Sequence, residues 1–174
     1  LESAGRILLA SIERLAAAGA EAVALTGVTA HAVLDIIRDR LPVPVLTIAD
    51  AVAEDARRRG IRHAVLLGTL PTMRDDFFRK PLAEGGLATT VPAAMEQEFI
   101  EHCIETELEP GVVRAETREA VEEIAADLME KADADAVILG CTELPLLWRD
   151  SPAPFPVINA AEVHAEALIR YILE

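Results

Sequence analysis

Apolar positions along this chain follow two alternating rhythms. SAGRILLASIERLAAAG (3–19) carries them at three- and four-residue spacing and stops at Gly19, which predicts an amphipathic helix. EAVAL (21–25) is an apolar run of strand length. AHAVLDIIRDRL (30–41) returns to helical spacing and is halted by Pro42 and Pro44. The alternation continues with VPVLTI (43–48) as strand, ADAVAEDARRRG (49–60) as helix closed by Gly60, and RHAVLLG (62–68) as strand. TMRDDFFRKPLAEGG (72–86) predicts one helix with a glycine stop, and LATTV (87–91) a β-branched strand. Two long helices follow, AAMEQEFIEHCIETEL (93–108) and RAETREAVEEIAADLMEKA (114–132). ADAVILG (134–140), PFPVINA (154–160) and AEVHAEALIRYILE (161–174) close the chain as strand, strand end and helix. Short apolar strands alternating with helices of ten or more residues predict an α/β protein of parallel βα units.

The pattern also repeats at long range. EAVALTG (21–27) lies over DAVILGC (135–141) without a gap, which sets Gly27 on Cys141. PVLTIADAVAEDA (44–56) lies over PVINAAEVHAEAL (156–168) in the same order. Ala- and Val-rich βα units resemble one another in any case, so one reading is coincidence. The other is two related, pseudo-symmetric lobes facing each other across a cleft. The expected division is residues 1–59 with 156–174 as the first lobe and 60–155 as the second, carrying Cys141. In parallel sheets the loops beyond the strand ends form the ligand crevice, so TGVT and GCTE would line it from opposite sides.

Composition narrows the partners. The chain has 174 residues, 52% of them hydrophobic, enough to bury a core. A formal net charge of −14 repels phosphate backbones and anionic membranes, and 3% aromatics leave no stacking platform for bases. Neither nucleic acid nor a membrane is an expected partner. No apolar run approaches the roughly 18 residues of a membrane span. Two cysteines make no disulfide framework and four scattered histidines make no zinc spacing, so a reduced, cytoplasmic setting is expected. The chain starts at Leu1 rather than methionine, and a missing upstream segment is the expectation.

The candidate chemistry centres on Cys141, where a buried strand opens into a turn. Backbone N–H groups at such a turn favour anions and lower a thiol's pKa, so a thiolate base or nucleophile is one reading. A small, inert, buried hydrophobe is the other. Cys103 reads as helix packing. Gly68, Thr69 and Thr72 could hold a carboxylate at the end of their strand, or Thr72 could simply cap a helix. Arg114 and Arg118 could meet a substrate carboxylate or stand solvated at a helix start. His31 reads as a loop-bonding residue and His164 as structural. No phosphate loop and no GxGxxG occurs.

ILGCTELPLL (138–147), LLGTLPTMRDDFFRKPL (66–82) and PVINAAEVHAEAL together resemble the aspartate/glutamate racemase family, over nearly the whole chain. The resemblance implies two α/β lobes, homodimers, an amino-acid substrate in the cleft, and no metal, nucleotide or pyridoxal cofactor. It also implies one cysteine from each lobe flanking the substrate Cα, as the two faces of a stereocentre require. On that basis Cys141 is the second-lobe acid/base, and Thr142 and Glu143 beside it, with Val28 in the first lobe, are expected substrate-binding positions. Thr69 and Thr72 are hydroxyls beside the substrate, Thr29 belongs to the first-cysteine motif, and Arg114 lies near a basic substrate contact. The departures are specific. The family's Cys-Asn-Thr-x-His is here Gly27-Val28-Thr29-Ala30-His31, so the first thiol and the amide at Val28 are absent. The family's leading strand and glycine-rich loop have no match. The implied function is racemisation through Cys141 with Gly27 in place of its partner. The alternatives are a one-base, decarboxylase-like enzyme and a non-catalytic carboxylate-binding module.

Overall fold

The computed structural model describes residues 2–174; Leu1, the first residue of the expected first lobe, lies outside them. Two parallel sheets organise those residues. The smaller pairs β1 (Val23–Ala24) with β2 (Val45–Leu46), and the larger has four strands in the order β4–β3–β5–β6. These are β3 (His63–Gly68), β4 (Ala88–Thr90), β5 (Ala136–Gly140) and β6 (Val157–Asn159). The helices are α1 (Glu2–Ala17), α2 (Leu34–Ile37), α3 (Ile48–Arg59), α4 (Leu70–Arg74) and α5 (Asp76–Glu84). They continue as α6 (Ala94–Cys103), α7 (Ala115–Ala132) and α8 (Ala160–Leu173). The α/β class expected from the periodicity is the observed one.

Burial on both faces explains the unbroken apolar runs of β3 and β5. Ala64, Leu66, Ala136 and Ile138 point into one layer with Val52 of α3, Phe78 and Leu82 of α5 and Val163 of α8. Val65, Leu67, Val137 and Leu139 point into the other, with Ile100 of α6 and Val121 and Ala125 of α7. A separate cluster joins α1, β1 and α2 through Leu9, Ile12, Val23, Leu34 and Ile37.

The sequence echo has a structural counterpart. Val23 pairs with Val45 and Ala24 with Leu46, while Val137 pairs with Val157 and Ile138 with Ile158. The four residues of the first set are the echo partners of the second, in identical register. Each second strand then runs into a helix capped the same way. Thr47 accepts from the N–H of Asp50 at the start of α3, and Asn159 from the N–H of Glu162 at the start of α8.

Three expectations need correction. First, β6 hydrogen-bonds to β5, so residues 157–159, which the expected division assigned to the first lobe, lie in the four-stranded sheet. Second, residues 30–41 are not one helix: 3₁₀ turns at Thr29–Val33 and Arg38–Arg40 flank the single turn α2. The His31 ring sits 3.0 and 3.1 Å from the carbonyls of Gly27 and Val28, occupying acceptors that an α-helix would need. Third, the helix expected over 72–86 breaks at Asp75, whose backbone is extended. Met73 and Phe78, both fully buried, enter opposite layers of the sheet, and the break lets the chain reach both.

Candidate functional site

β3 and β5 end side by side, with Gly68 paired to Gly140. Both positions require the absence of a side chain. A Cβ on Gly140 would lie 3.0 Å from the Leu67 carbonyl and 3.1 Å from the Thr72 methyl. One on Gly68 would lie 3.1 Å from the Gly140 carbonyl and 3.1 Å from that same methyl. Thr72 is fully buried over this glycine pair, its hydroxyl 3.1 Å from that of Thr69.

Beyond the glycines the chain leaves the sheet around a cavity of about 280 Å³, lined by Gly27, Val28, Thr29, Thr69, Glu109, Gly140, Cys141, Thr142 and Glu143. Loops following β1, β3 and β5 therefore converge on one space, with Gly27 and Cys141 both on its wall. A larger hollow of about 680 Å³ lies elsewhere, between β1 and the end of α8. It is lined by residues such as Val23, Leu46, Leu168 and Tyr171 and holds no thiol.

Cys141 is 8% exposed, and its Sγ donates to Glu143 Oε2 at 3.0 Å. Thr142 Oγ1 donates to the same oxygen at 2.7 Å. The thiol is pushed up to about 12, first by burial, then by the hydrogen bond to the Glu143 carboxylate and by that group's charge. The N–H groups of Glu143 and Leu144 favour the thiolate, as expected of this turn, but they are outweighed. The expected lowering of the thiol's pKa is thus reversed: the resting group is a thiol held as a proton donor. Burial raises Glu143, but bonds from Cys141, Thr142 and its own N–H prevail and hold its carboxyl below the usual range.

The remaining candidates divide. Thr29, Thr69, Thr142 and Glu143 line the cavity. Val28 lines it too, but its side chain, 6% exposed, packs into the core and leaves its backbone to face the space. Thr72 supports from below without lining it. Arg114 stands 3.8 Å from Glu107 and Arg118 3.9 Å from Glu122, and neither is among the lining residues. His31 holds the Gly27 loop: its Nδ1 faces the two loop carbonyls and its Nε2 accepts from the Ile48 N–H at 3.2 Å. Burial lowers its pKa below 6.5. His164 meets the Leu46 carbonyl at 2.9 Å, a structural contact. Cys103 is buried in helix packing, 3% exposed.

Glu109 went unnoticed in the sequence. It follows a π-helical segment, Ile104–Leu108, that continues α6 and buries both Ile104 and Leu108. The extra residue in that turn sets where the next side chain emerges. The only local signal was the Pro110-Gly111 stop just after it.

A thiol proton donor at parallel strand ends, in a cavity shared by two sheets, defines a class that sequence and structure comparisons identify. The chain belongs to the Asp/Glu/Hydantoin racemase family, whose model matches residues 2–168. A candidate Asp/Glu racemase structure from Yersinia pestis superposes with a TM-score of 0.91 at 32% identity, covering 99% of this chain and 75% of that one. An aspartate racemase homologue from Pyrococcus horikoshii OT3 gives 0.88 at 37% identity, covering 98% and 74%. A glutamate racemase from Hydrogenobaculum sp. is 27% identical over 155 residues, 86% of this chain and 55% of that protein. The chain thus spans about half the length of the curated relatives it matches. Among the described residues, no helix is long and apolar enough to cross a membrane.

Proposed function

We propose that the chain exchanges the Cα proton of a free amino acid through Cys141, without pyridoxal phosphate. The observation that carries this reading is the Cys141–Glu143 pair on the wall of a two-sheet cavity. The substrate's α-ammonium pairs with Glu143, and the hydroxyls of Thr29 and Thr69 meet its α-carboxylate. Pairing with the ammonium cancels the charge and occupies the acceptor that raise the thiol's pKa, so in the complex the thiol releases its proton to solvent and the thiolate becomes accessible. The thiolate then takes the Cα proton while the C–H electron pair stays on Cα. The reverse transfer restores the C–H bond and the thiolate. Return to the same face after the Sγ proton has exchanged with solvent gives exchange with retention; delivery by a water on the Gly27 side, whose hydroxide then takes the Sγ proton, gives inversion. The homodimer implied by the family resemblance belongs to the same proposal, and sedimentation of the full chain tests it.

A second reading, a one-base reaction such as protonation after decarboxylation, is favoured by one feature. A Cβ built on Gly27 meets nothing within 4 Å, so that face is open to a bulkier substituent. Both readings are tested by following Cα–H loss and chirality together in deuterium oxide, with Cys141→Ala as control. Exchange with inversion, abolished in the control, supports racemisation. Exchange with retention supports the one-base reading. Exchange that survives Cys141→Ala refutes both.

A further inference from the structure

The proposed chemistry leaves one buried titratable side chain without a role. His31 is 6% exposed, and three contacts hold its ring in a way that a single protonation state satisfies. Nδ1 faces the carbonyls of Gly27 and Val28 at 3.0 and 3.1 Å, so it carries the proton. Nε2 accepts from the Ile48 N–H at 3.2 Å, so it is bare. Ile48 opens α3, where first-turn N–H groups have no partner within the helix. Thr47 Oγ1 takes the N–H of Asp50, and His31 takes that of Ile48. One imidazole thus ties the loop after β1 to the start of a helix in the core.

The tied loop is a wall of the site, because Gly27, Val28 and Thr29 line the cavity that holds Cys141. Val28 is anchored by its side chain in the core. A Cβ built on Gly27 meets nothing within 4 Å, so packing does not fix that residue and its carbonyl on His31 does. Charged groups surround the ring. Asp35, Arg38, Asp50 of α3 and Glu84 of α5 share with it a small cavity of about 130 Å³, and His164 of α8 stands edge-on with ring centroids 6.5 Å apart. A proton on Nε2 would turn the acceptor into a donor aimed at the Ile48 N–H, and the tie would open. We propose that His31 is a positioning residue: its neutral ring fixes the loop that carries Thr29 to the substrate, and so governs how tightly the cavity holds an amino acid. This rests on the amino-acid reading of the cavity and adds to it a residue that touches no substrate.

The test measures binding of L-aspartate and L-glutamate to the full chain by calorimetry, beside exchange kinetics in deuterium oxide. His31→Phe keeps a ring and removes all three contacts, whereas His31→Asn keeps a donor near the Nδ1 position. His31→Phe should weaken binding at least about tenfold, the effect of misplacing one hydrogen bond to a carboxylate. The loss should fall on KM rather than kcat, and His31→Asn should recover part of it. Wild-type binding should also loosen as pH falls through the His31 titration, which burial holds below 6.5 and NMR of the imidazole follows. It should approach the His31→Phe value, and pH dependence that belongs to the cavity carboxylates persists in that variant as the baseline. A merely structural role would lower the melting temperature of the variants while leaving Kd and its pH dependence unchanged, and that result would overturn the proposal. If neither amino acid binds the wild type, the amino-acid reading fails on its own. Hydrogen exchange of the amides of residues 27–29 and Ile48 then decides the positioning claim: faster exchange in His31→Phe supports it, and unchanged exchange refutes it.

Discussion

Replacing Glu143 by glutamine tests the central electrostatic claim, because it removes a charge and a strong acceptor while keeping size and shape. With the thiol at about 12 rather than its ordinary 9.0, the thiolate fraction at pH 8 is on the order of 1 in 10⁴ rather than about 1 in 10. Burial, the largest cause of the elevation, survives the substitution, so the midpoint should fall but remain above 9.0. Each unit of fall yields about ten times more thiolate. That thiolate is less nucleophilic by a Brønsted coefficient of about 0.4–0.5, so the net gain in attack rate is only about threefold per unit. Glu143→Gln should therefore raise the iodoacetamide alkylation rate of Cys141 at pH 8 by about threefold, with a ceiling near about fortyfold for complete relaxation. The assay is the pH dependence of alkylation read by peptide mass spectrometry. Cys103, far less dependent on Glu143, serves as the internal reference. A wild-type midpoint near that of a free thiol, or an unchanged rate in the variant, would refute the reasoning.

Gly27→Cys should introduce a second thiol on the cavity wall without steric cost. The backbone there is not left-handed and an added Cβ is unopposed, so the variant should match or exceed wild-type stability by about 0.4–1 kcal/mol in thermal unfolding. If the two-face mechanism is right, inversion in deuterium oxide should increase relative to retention. Gly140→Ala should lose about 1–3 kcal/mol, because its methyl would crowd the Leu67 carbonyl and Thr72; denaturant unfolding measures this. An unaltered midpoint would contradict the close packing described. His31, lowered by burial, must be neutral for Nε2 to accept from Ile48. Its stabilisation is fully present above pH 6.5 and is lost as pH falls through the lower folded value. Melting curves at pH 5 and 7 should show a wild-type loss that His31→Asn reduces.

Much of this molecule is determined by its local pattern. The apolar runs at 62–68 and 134–140 read as strands from their length and composition, and Gly60 and Gly19 mark where helices stop. The overlay of EAVALTG on DAVILGC, with its partner overlay, matches the two strand-pair registers, and it sets Gly27 on Cys141, which share the wall of one cavity. Such features are legible because side-chain periodicity and capping depend on a few neighbouring residues.

Only the tertiary structure decided the rest. β6 could join either sheet on its own pattern, and pairing with β5, a choice between distant segments, placed it. The break at Asp75 has no glycine or proline behind it and follows from Met73 and Phe78 being drawn to opposite layers. The direction of Cys141's pKa turned on burial, its largest cause, which only the folded cavity supplies, whereas the Glu143 carboxylate and the two N–H groups are sequence neighbours. Glu109 entered that cavity through a π-helical turn thirty residues away in sequence. Desolvation and charge at a site are set by everything the fold packs around it, and no local window of sequence contains that sum.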